Sequence, residues 1–162
     1  MAPRVLLDTT VMSNFAGVQR SDLLYVRFGA DAGTTISCLA ELRMGEIVGR
    51  IPLCDWAWLA VVALTDLELE RAASLATHQG LGRGEADGVA VAEARSILFL
   101  SDDKRARTVA ASLKIGVSGT LGILTGLVET AALSAQDADE LLGRMRAHGY
   151  RSPVASIHEL LR

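Results

Sequence analysis

Aromatic residues are scarce in this chain of 162 residues, at 4%, so three Phe, two Tyr and two Trp cannot furnish a core by themselves. Half of the residues are nevertheless hydrophobic. The interior must therefore be aliphatic and Ala-rich, which suits helices packed on a sheet of Val, Ile and Leu strands. Cysteine is equally sparse: Cys38 and Cys54 stand in apolar surroundings with no CxxC spacing and no neighbouring His. That pattern reads as reduced core thiols rather than a zinc or redox centre. The three histidines, His78, His148 and His158, are scattered at helix ends or faces and read as surface or capping residues.

Long apolar runs are missing as well. The stretches "WAWLAVVAL" and "IGVSGTLGILTGLV" are broken by Gly or flanked by acids, and both fall short of the roughly 20 residues that span a bilayer. The start "MAPRVLLD" has no charged n-region, apolar h-region or cleavage site, so a cytoplasmic location without membrane association is expected. Net charge is −3, so there is no global basic signature for nucleic acid. A phosphate-bearing partner would have to be met by a local basic patch or a bound cation.

What the chain does contain is an alternation of strand-like and helix-like segments. "RVLLD" is a short apolar run, and "TVMSNFAGV" can begin a helix capped by Thr9 or Thr10. "RSDLLYVRFG" reads as a helix stopped by Gly29, "TTISC" as a strand, and "LAELRMGEIVGR" as a helix closed by Gly49. "WLAVVAL" reads as a buried strand, and Trp56 and Trp58, alternating on a strand-like segment, read as packing rather than stacking on bases. "TDLELERAASLATHQG" is an amphipathic helix with a cap at Thr65 or Asp66 and an end at Gly80. The loop "GLGRG" precedes the small-residue helix "EADGVAVAEAR", the strand "ILFLS", the helix "DDKRARTVAASLK" and the short strand "GVS". "TLGILTGLVETAAL", "SAQDADELLGRMRAHG" and "SPVASIHELL" read as closing helices, the last opened by Ser152 and Pro153. The βα alternation implies a parallel sheet covered on both faces. With no repeat or linker in sight, a single domain over residues 1–162 is expected.

Ligands of open parallel sheets sit beyond the carboxyl ends of the strands. Asp8 ends the first strand, and Asp102 and Asp103 end "ILFLS". Glu41 is expected in the first turn of the helix after "TTISC", and Glu85 and Asp87 lie at the start of the helix after "GLGRG". Adjacent strand residues face opposite sides, so only one of Asp102 and Asp103 need reach a shared site. Residues two apart on a helix diverge by about 200°, which separates Glu85 from Asp87 unless Glu85 is still in the loop. Carboxylates gathered in one place repel one another unless a cation joins them. Mg²⁺ or Mn²⁺, which prefers oxygen ligands, suits three or four carboxylates better than zinc.

Four stretches, "VLLDTTVMSN", "ISCLAELRMGEI", "LGRGEADGVAVAEA" and "ILFLSDDKRARTVA", in that order and spacing, resemble the PIN-domain nucleases. The nearest likeness is to the small prokaryotic group that includes toxin subunits of VapBC-type toxin–antitoxin pairs. It runs from about residue 4 to about residue 120, the catalytic core. The helical extension from about 120 to 162 resembles a less characterised branch of the same superfamily. The resemblance implies a three-layer α/β/α sandwich with sheet order 3-2-1-4-5 and extra C-terminal helices. It implies cleavage of RNA by metal-assisted hydrolysis, with no side-chain nucleophile. Matched position by position, Asp8, Glu41, Asp87 and Asp103 would hold one or two Mg²⁺ or Mn²⁺ ions, with Glu85 and Asp102 as additional acids. Thr10 and Ser101 match small polar positions beside the metal. Lys104, Arg105 and Arg107, with Arg83 and Arg43 near the other acids, are the candidate RNA-binding cations. A homodimer and an antitoxin partner are further implications.

Two other readings compete. A PIN fold without catalysis would serve as an RNA- or protein-binding module. A haloacid-dehalogenase-like phosphatase also ends its first strand on Asp, but it needs a second Asp two residues later, where this chain has Thr10.

Overall fold

The computed structural model describes residues 2–161. Five short strands form one sheet: β1 Val5–Leu7, β2 Ala32–Thr35, β3 Ala60–Val62, β4 Leu98–Leu100 and β5 Val117–Ser118. They run in the order β3-β2-β1-β4-β5, and all four pairings are parallel. This is the expected order 3-2-1-4-5. The central strand is β1, in register with β2 through Val5 and Ala32 and with β4 through Leu7 and Leu100.

Alternation along β1 builds the layers. Val5 and Leu7 join one buried cluster, which collects residues of α1 Thr9–Gly17, α2 Asp22–Phe28, α3 Ile36–Ile47, α7 Thr120–Glu129 and α8 Ala135–Ala147. Leu6 joins a second cluster with residues of α4 Asp66–Gln79, α5 Arg83–Arg95 and α6 Lys104–Ser112. Helices thus cover both faces of the sheet. The core is aliphatic as the composition required, with Phe15 and Phe99 its largest fully buried side chains.

Several boundaries differ from expectation, each for a local reason. The strand "TTISC" ends at Thr35, because the Thr35 hydroxyl accepts the Cys38 N–H and starts α3 at Ile36. Glu41 consequently lies in the second turn of that helix, not the first. Neither Thr9 nor Thr10 caps α1: Asp8 occupies the N-cap, without a side-chain cap bond, and both threonines are helical. The expected terminal helix is reduced to a 3₁₀ turn, Ile157–Glu159. Ser152 bends the chain by bonding both the N–H and the carbonyl of Val154. Asp139 of α8 then collects the Ser156 hydroxyl and the Ile157 N–H, so the turn begins only there.

Elsewhere the reading holds. Thr65 and Glu68 form a capping box at the start of α4, and Gly80 ends it in the left-handed region at φ 66°. The tryptophans are an exception: a turn closed by the Leu59 N–H on the Trp56 carbonyl at 3.0 Å puts Trp56 and Trp58 ahead of β3, not on a strand as expected. Trp56 is buried with its indole N–H donated to Glu46, and Trp58 meets Tyr25 edge-on at 5.4 Å. Both cysteines are free. Among the described residues no helix is long and apolar enough to cross a membrane.

The pairing of Glu68 with Arg95, at 2.7 and 2.8 Å, ties α4 to the end of α5. The Arg95 hydrogen bonds, helped by the Thr65 backbone and opposed by burial, hold the Glu68 carboxyl below its ordinary value. A depressed carboxyl stabilises fully above the unfolded pKa, about 4.3, and that stability is lost as pH falls through the lower folded value. Glu68→Gln keeps the capping box but not the charge. It is expected to cost roughly 1–2 kcal/mol near neutral pH and little once the pH has fallen through the lowered folded value. Urea denaturation at the two pH values checks this, and an equal cost at both would exclude the charge pair as the cause.

Candidate active site

Because every strand is parallel, the chain leaves β1, β2, β4 and β5 along one edge of the sheet. Asp8 follows β1 directly and is 2% exposed. A buried carboxylate needs donors, and two hydroxyls supply them to Oδ2: Thr10 at 2.9 Å and Ser101 at 2.7 Å. Those hydroxyls are themselves fixed by β4's exit. The Asp102 N–H donates to Thr10 Oγ1 and the Asp103 N–H to Ser101 Oγ. Among the described residues, the other oxygen, Oδ1, has only the Cys38 thiol as a donor, a weak one at 3.6 Å. Burial, with the Asp8 charge as a lesser cause, pushes that thiol up to about 12, so it stays protonated.

The adjacent acids after Ser101 part company. Asp103 caps α6, accepting the Ala106 N–H at 2.8 Å. Asp102 turns towards the C-terminal helices: it accepts the Thr120 N–H, the Thr120 hydroxyl and the Asn14 side-chain amide at 2.9 Å. Gly119 lets this happen, since a Cβ there would collide with the Asp102 carboxylate and stand 2.9 Å from the Arg107 guanidinium.

Glu85 and Asp87 separate as their spacing demands. Glu85 lies within α5 and reaches back to the Gly82 N–H at 2.9 Å. Its carboxyl is raised above the ordinary value, first by burial, then by the charges of Asp103 and Asp8. Asp87 is buried and accepts the Ser37 hydroxyl at 2.6 Å. Glu41 is exposed on α3 and lies over Gly84, where a Cβ would come within 2.8 Å of Oε1. Ser37, which holds Asp87, and Asn14 and Thr120, which hold Asp102, are not singled out by the sequence.

All six acids therefore belong to one sheet edge. Among the described residues, however, no three Asp, Glu, His or Cys side chains are gathered closely enough to hold a metal ion. The donor chemistry is that of a hard cation, because oxygen ligands line the edge and the one nearby sulfur is protonated.

The expected cations divide. Lys104 and Arg105 are exposed, with Arg105 contacting the Gly80 carbonyl at 3.4 Å. Arg107 donates to the Ser101 carbonyl at 2.9 Å and so supports the site's backbone. Arg83 shares a cavity wall with Glu41 and Asp87. Arg43 does not join them: its guanidinium is held at 2.8 Å by Glu46 and also donates to the Cys54 carbonyl.

The chain belongs to the PIN-domain family: a family profile described as PIN domain (DUF3368) matches residues 4–162. Domains of this family are usually metal-dependent nucleases. No curated protein matches the chain. Among solved structures, the crystal structure of PAE2754 from Pyrobaculum aerophilum is similar to it, at 18% identity and a TM-score of 0.56. That likeness covers 82% of this chain and 100% of the other, and at such identity it speaks for the fold alone.

If Asp102 joins α1 and α7 to the sheet, Asp102→Ala strands three donors and is expected to cost roughly 2–3 kcal/mol. Asp103→Asn keeps a capping side chain and should cost less than about 1 kcal/mol. Chemical denaturation of the two variants checks the ranking, and an Asp102→Ala protein as stable as wild type would sink the anchoring role.

Proposed function

We propose that this protein is a metal-dependent endoribonuclease that hydrolyses RNA phosphodiester bonds. The observation that carries the reading is Asp8, buried at the end of the central strand with Oδ2 held by two hydroxyls. Its charge, like that of Asp103, is felt at Glu85. Asp8, Glu41, Asp87 and Asp103 would hold one or two Mg²⁺ or Mn²⁺ ions, with Glu85 beside them and Asp102 kept for the fold. A divalent cation there supplies charge neutralisation at the phosphate and a water acidic enough to attack it. The chain's own contribution is orientation. Thr10 and Ser101 fix the Asp8 carboxylate, Ser37 fixes Asp87, and the α6 N-terminus fixes Asp103.

One PIN-like unit over 1–162 is part of the proposal, and it is supported by α7 and α8 sharing a core with β1 and α1. A cytoplasmic location, a homodimer and a toxin role with an antitoxin partner are proposed from the family resemblance. The phosphatase reading falls, because the family is the PIN domain and the hydroxyl of Thr10 serves Asp8 where an acid would be required. A second reading, a PIN fold that binds without cleaving, is favoured by one observation: the acids are not gathered into a closed set.

Cleavage of a labelled single-stranded RNA in Mn²⁺ or Mg²⁺ separates the two. Wild type is expected to cleave and Asp8→Asn to lose at least about a hundredfold in rate. Mn²⁺ at 100 times its Kd should stabilise wild type by about 2.7 kcal/mol and leave Asp8→Asn unmoved. Cleavage that survives Asp8→Asn undiminished would sink the nuclease reading, and metal-independent RNA binding without cleavage would favour the binding module.

A further inference from the structure

The fold leaves one aromatic side chain exposed. Phe15, Phe99 and Trp56 are buried, Phe28, Trp58 and Tyr150 are half-buried, and Tyr25 on α2 alone stands out, at 56% exposure. It meets Trp58 with ring centroids 5.4 Å apart and planes at 71°. The two rings therefore form a corner rather than a stack. Both line a cavity of about 420 Å³ whose wall is completed by Ser21, Asp22, Val26 and Asp55.

Charge and ring content set this cavity apart. Four other cavities on the described surface each have Arg, His or Lys in the wall and no Phe, Tyr or Trp. Here there are two aspartates, two rings and no cation. Asp22 is held by Arg20 at 3.0 and 3.1 Å, in an exposed pair of the kind that contributes little. Asp55, also exposed, accepts the Ala57 N–H at 2.9 Å on Oδ1, and among the described residues its other oxygen has no donor. The faces of Tyr and Trp rings carry negative potential and attract cations, Trp most strongly. Two such faces at nearly a right angle beside an uncommitted carboxylate are complementary to a cation.

The cavity is remote from the acids of the sheet edge. Trp58 stands just ahead of β3, at the end of the parallel sheet opposite Asp8, and no residue is shared with the cavities that Glu41 lines.

We propose that this cavity binds the side-chain cation of a basic partner segment, an arginine guanidinium or a lysine ammonium. The charged head lies against the Tyr25 and Trp58 rings and pairs with Asp55, while its methylene stem covers the exposed Val26. No acid of the Asp8 edge takes part, so the binding is independent of the ribonuclease reading.

Because the chain has two tryptophans, its ¹H–¹⁵N correlation spectrum has two indole N–H signals, and Trp58→Phe identifies the one that belongs to Trp58. The probe is a capped pentapeptide, Gly-Arg-Gly-Arg-Gly. Its control carries citrulline at both arginine positions, which keeps the shape and removes the charge. The arginine peptide is expected to move the Trp58 signal saturably, and the citrulline peptide to leave it in place. Tyr25→Ala and Asp55→Asn are each expected to weaken binding about two- to fivefold. Both replace exposed side chains, and an unmoved signal from the buried Trp56, whose indole donates to Glu46, shows that they fold. Glu70→Gln, which neutralises an exposed acid on α4, should bind as wild type.

Equal shifts from the two peptides, a Trp58 signal that neither moves, or wild-type affinity in both Tyr25→Ala and Asp55→Asn would overturn the proposal. A loss in Glu70→Gln as large as that in Asp55→Asn would do so too, by reducing the binding to net charge. Spermidine that displaces the peptide at equal concentration would make the cavity a polyamine site and overturn the partner segment.

Discussion

The structure turns on keeping one carboxylate charged and oriented at the buried end of its central strand. Asp8 is 2% exposed, and an ionised carboxylate in such a place is tolerated only with good donors. Thr10 and Ser101 provide them, one from α1 and one from the end of β4. The register of β1 against β4, Leu7 beside Leu100, brings Ser101 to Asp8. The two backbone N–H groups after Ser101 orient both hydroxyls. A residue without a hydroxyl at either position would leave a donor, an acceptor or both unmatched in a buried setting, which costs more than a single hydrogen bond contributes.

Charge is allocated unevenly around that point. Arginines on the periphery are tied to Glu46, Glu68 and Glu93, where they join helices to their neighbours. The acids of the sheet edge, by contrast, are held by hydroxyls and backbone N–H groups rather than by cations. Neutral donors orient a carboxylate without cancelling its charge. The charges of Asp103 and Asp8 therefore add to burial in raising the Glu85 carboxyl, and a negative edge of this kind favours a cation over a bare phosphate.

Much of the architecture is legible in the sequence, because short apolar runs and helix signals alternate cleanly. The parallel sheet and its covered faces follow from that alternation, while the strand order comes from the family resemblance. Boundaries fail where one side chain decides them: Thr35 begins α3 early, and Ser152 with Asp139 cancels the last helix. The acids at strand ends are visible because a charge interrupting an apolar run is conspicuous. Ser37, Asn14 and Thr120 are not, because their partners lie 50, 88 and 18 positions away. Arg43 looks available beside Glu41 only until Glu46, three residues on, takes its guanidinium.

The divergence of Asp102 and Asp103 also sets the direction in which the site opens. The chain is extended at Asp103, with φ −70° and ψ 121°, so neighbouring side chains leave on opposite sides. Asp103 turns to α6 and Glu85, and Asp102 turns to Asn14 and Thr120. The space next to β5 is thereby filled by the joint between α1 and α7, with Gly119 admitting no side chain there. What remains open is the ground between α1, α3 and α5, where Glu41 meets the cavities lined by Arg50 and Arg83. Asp102, by accepting the bonds of Asn14 and Thr120, thus decides which side of the sheet edge is closed and which is left open.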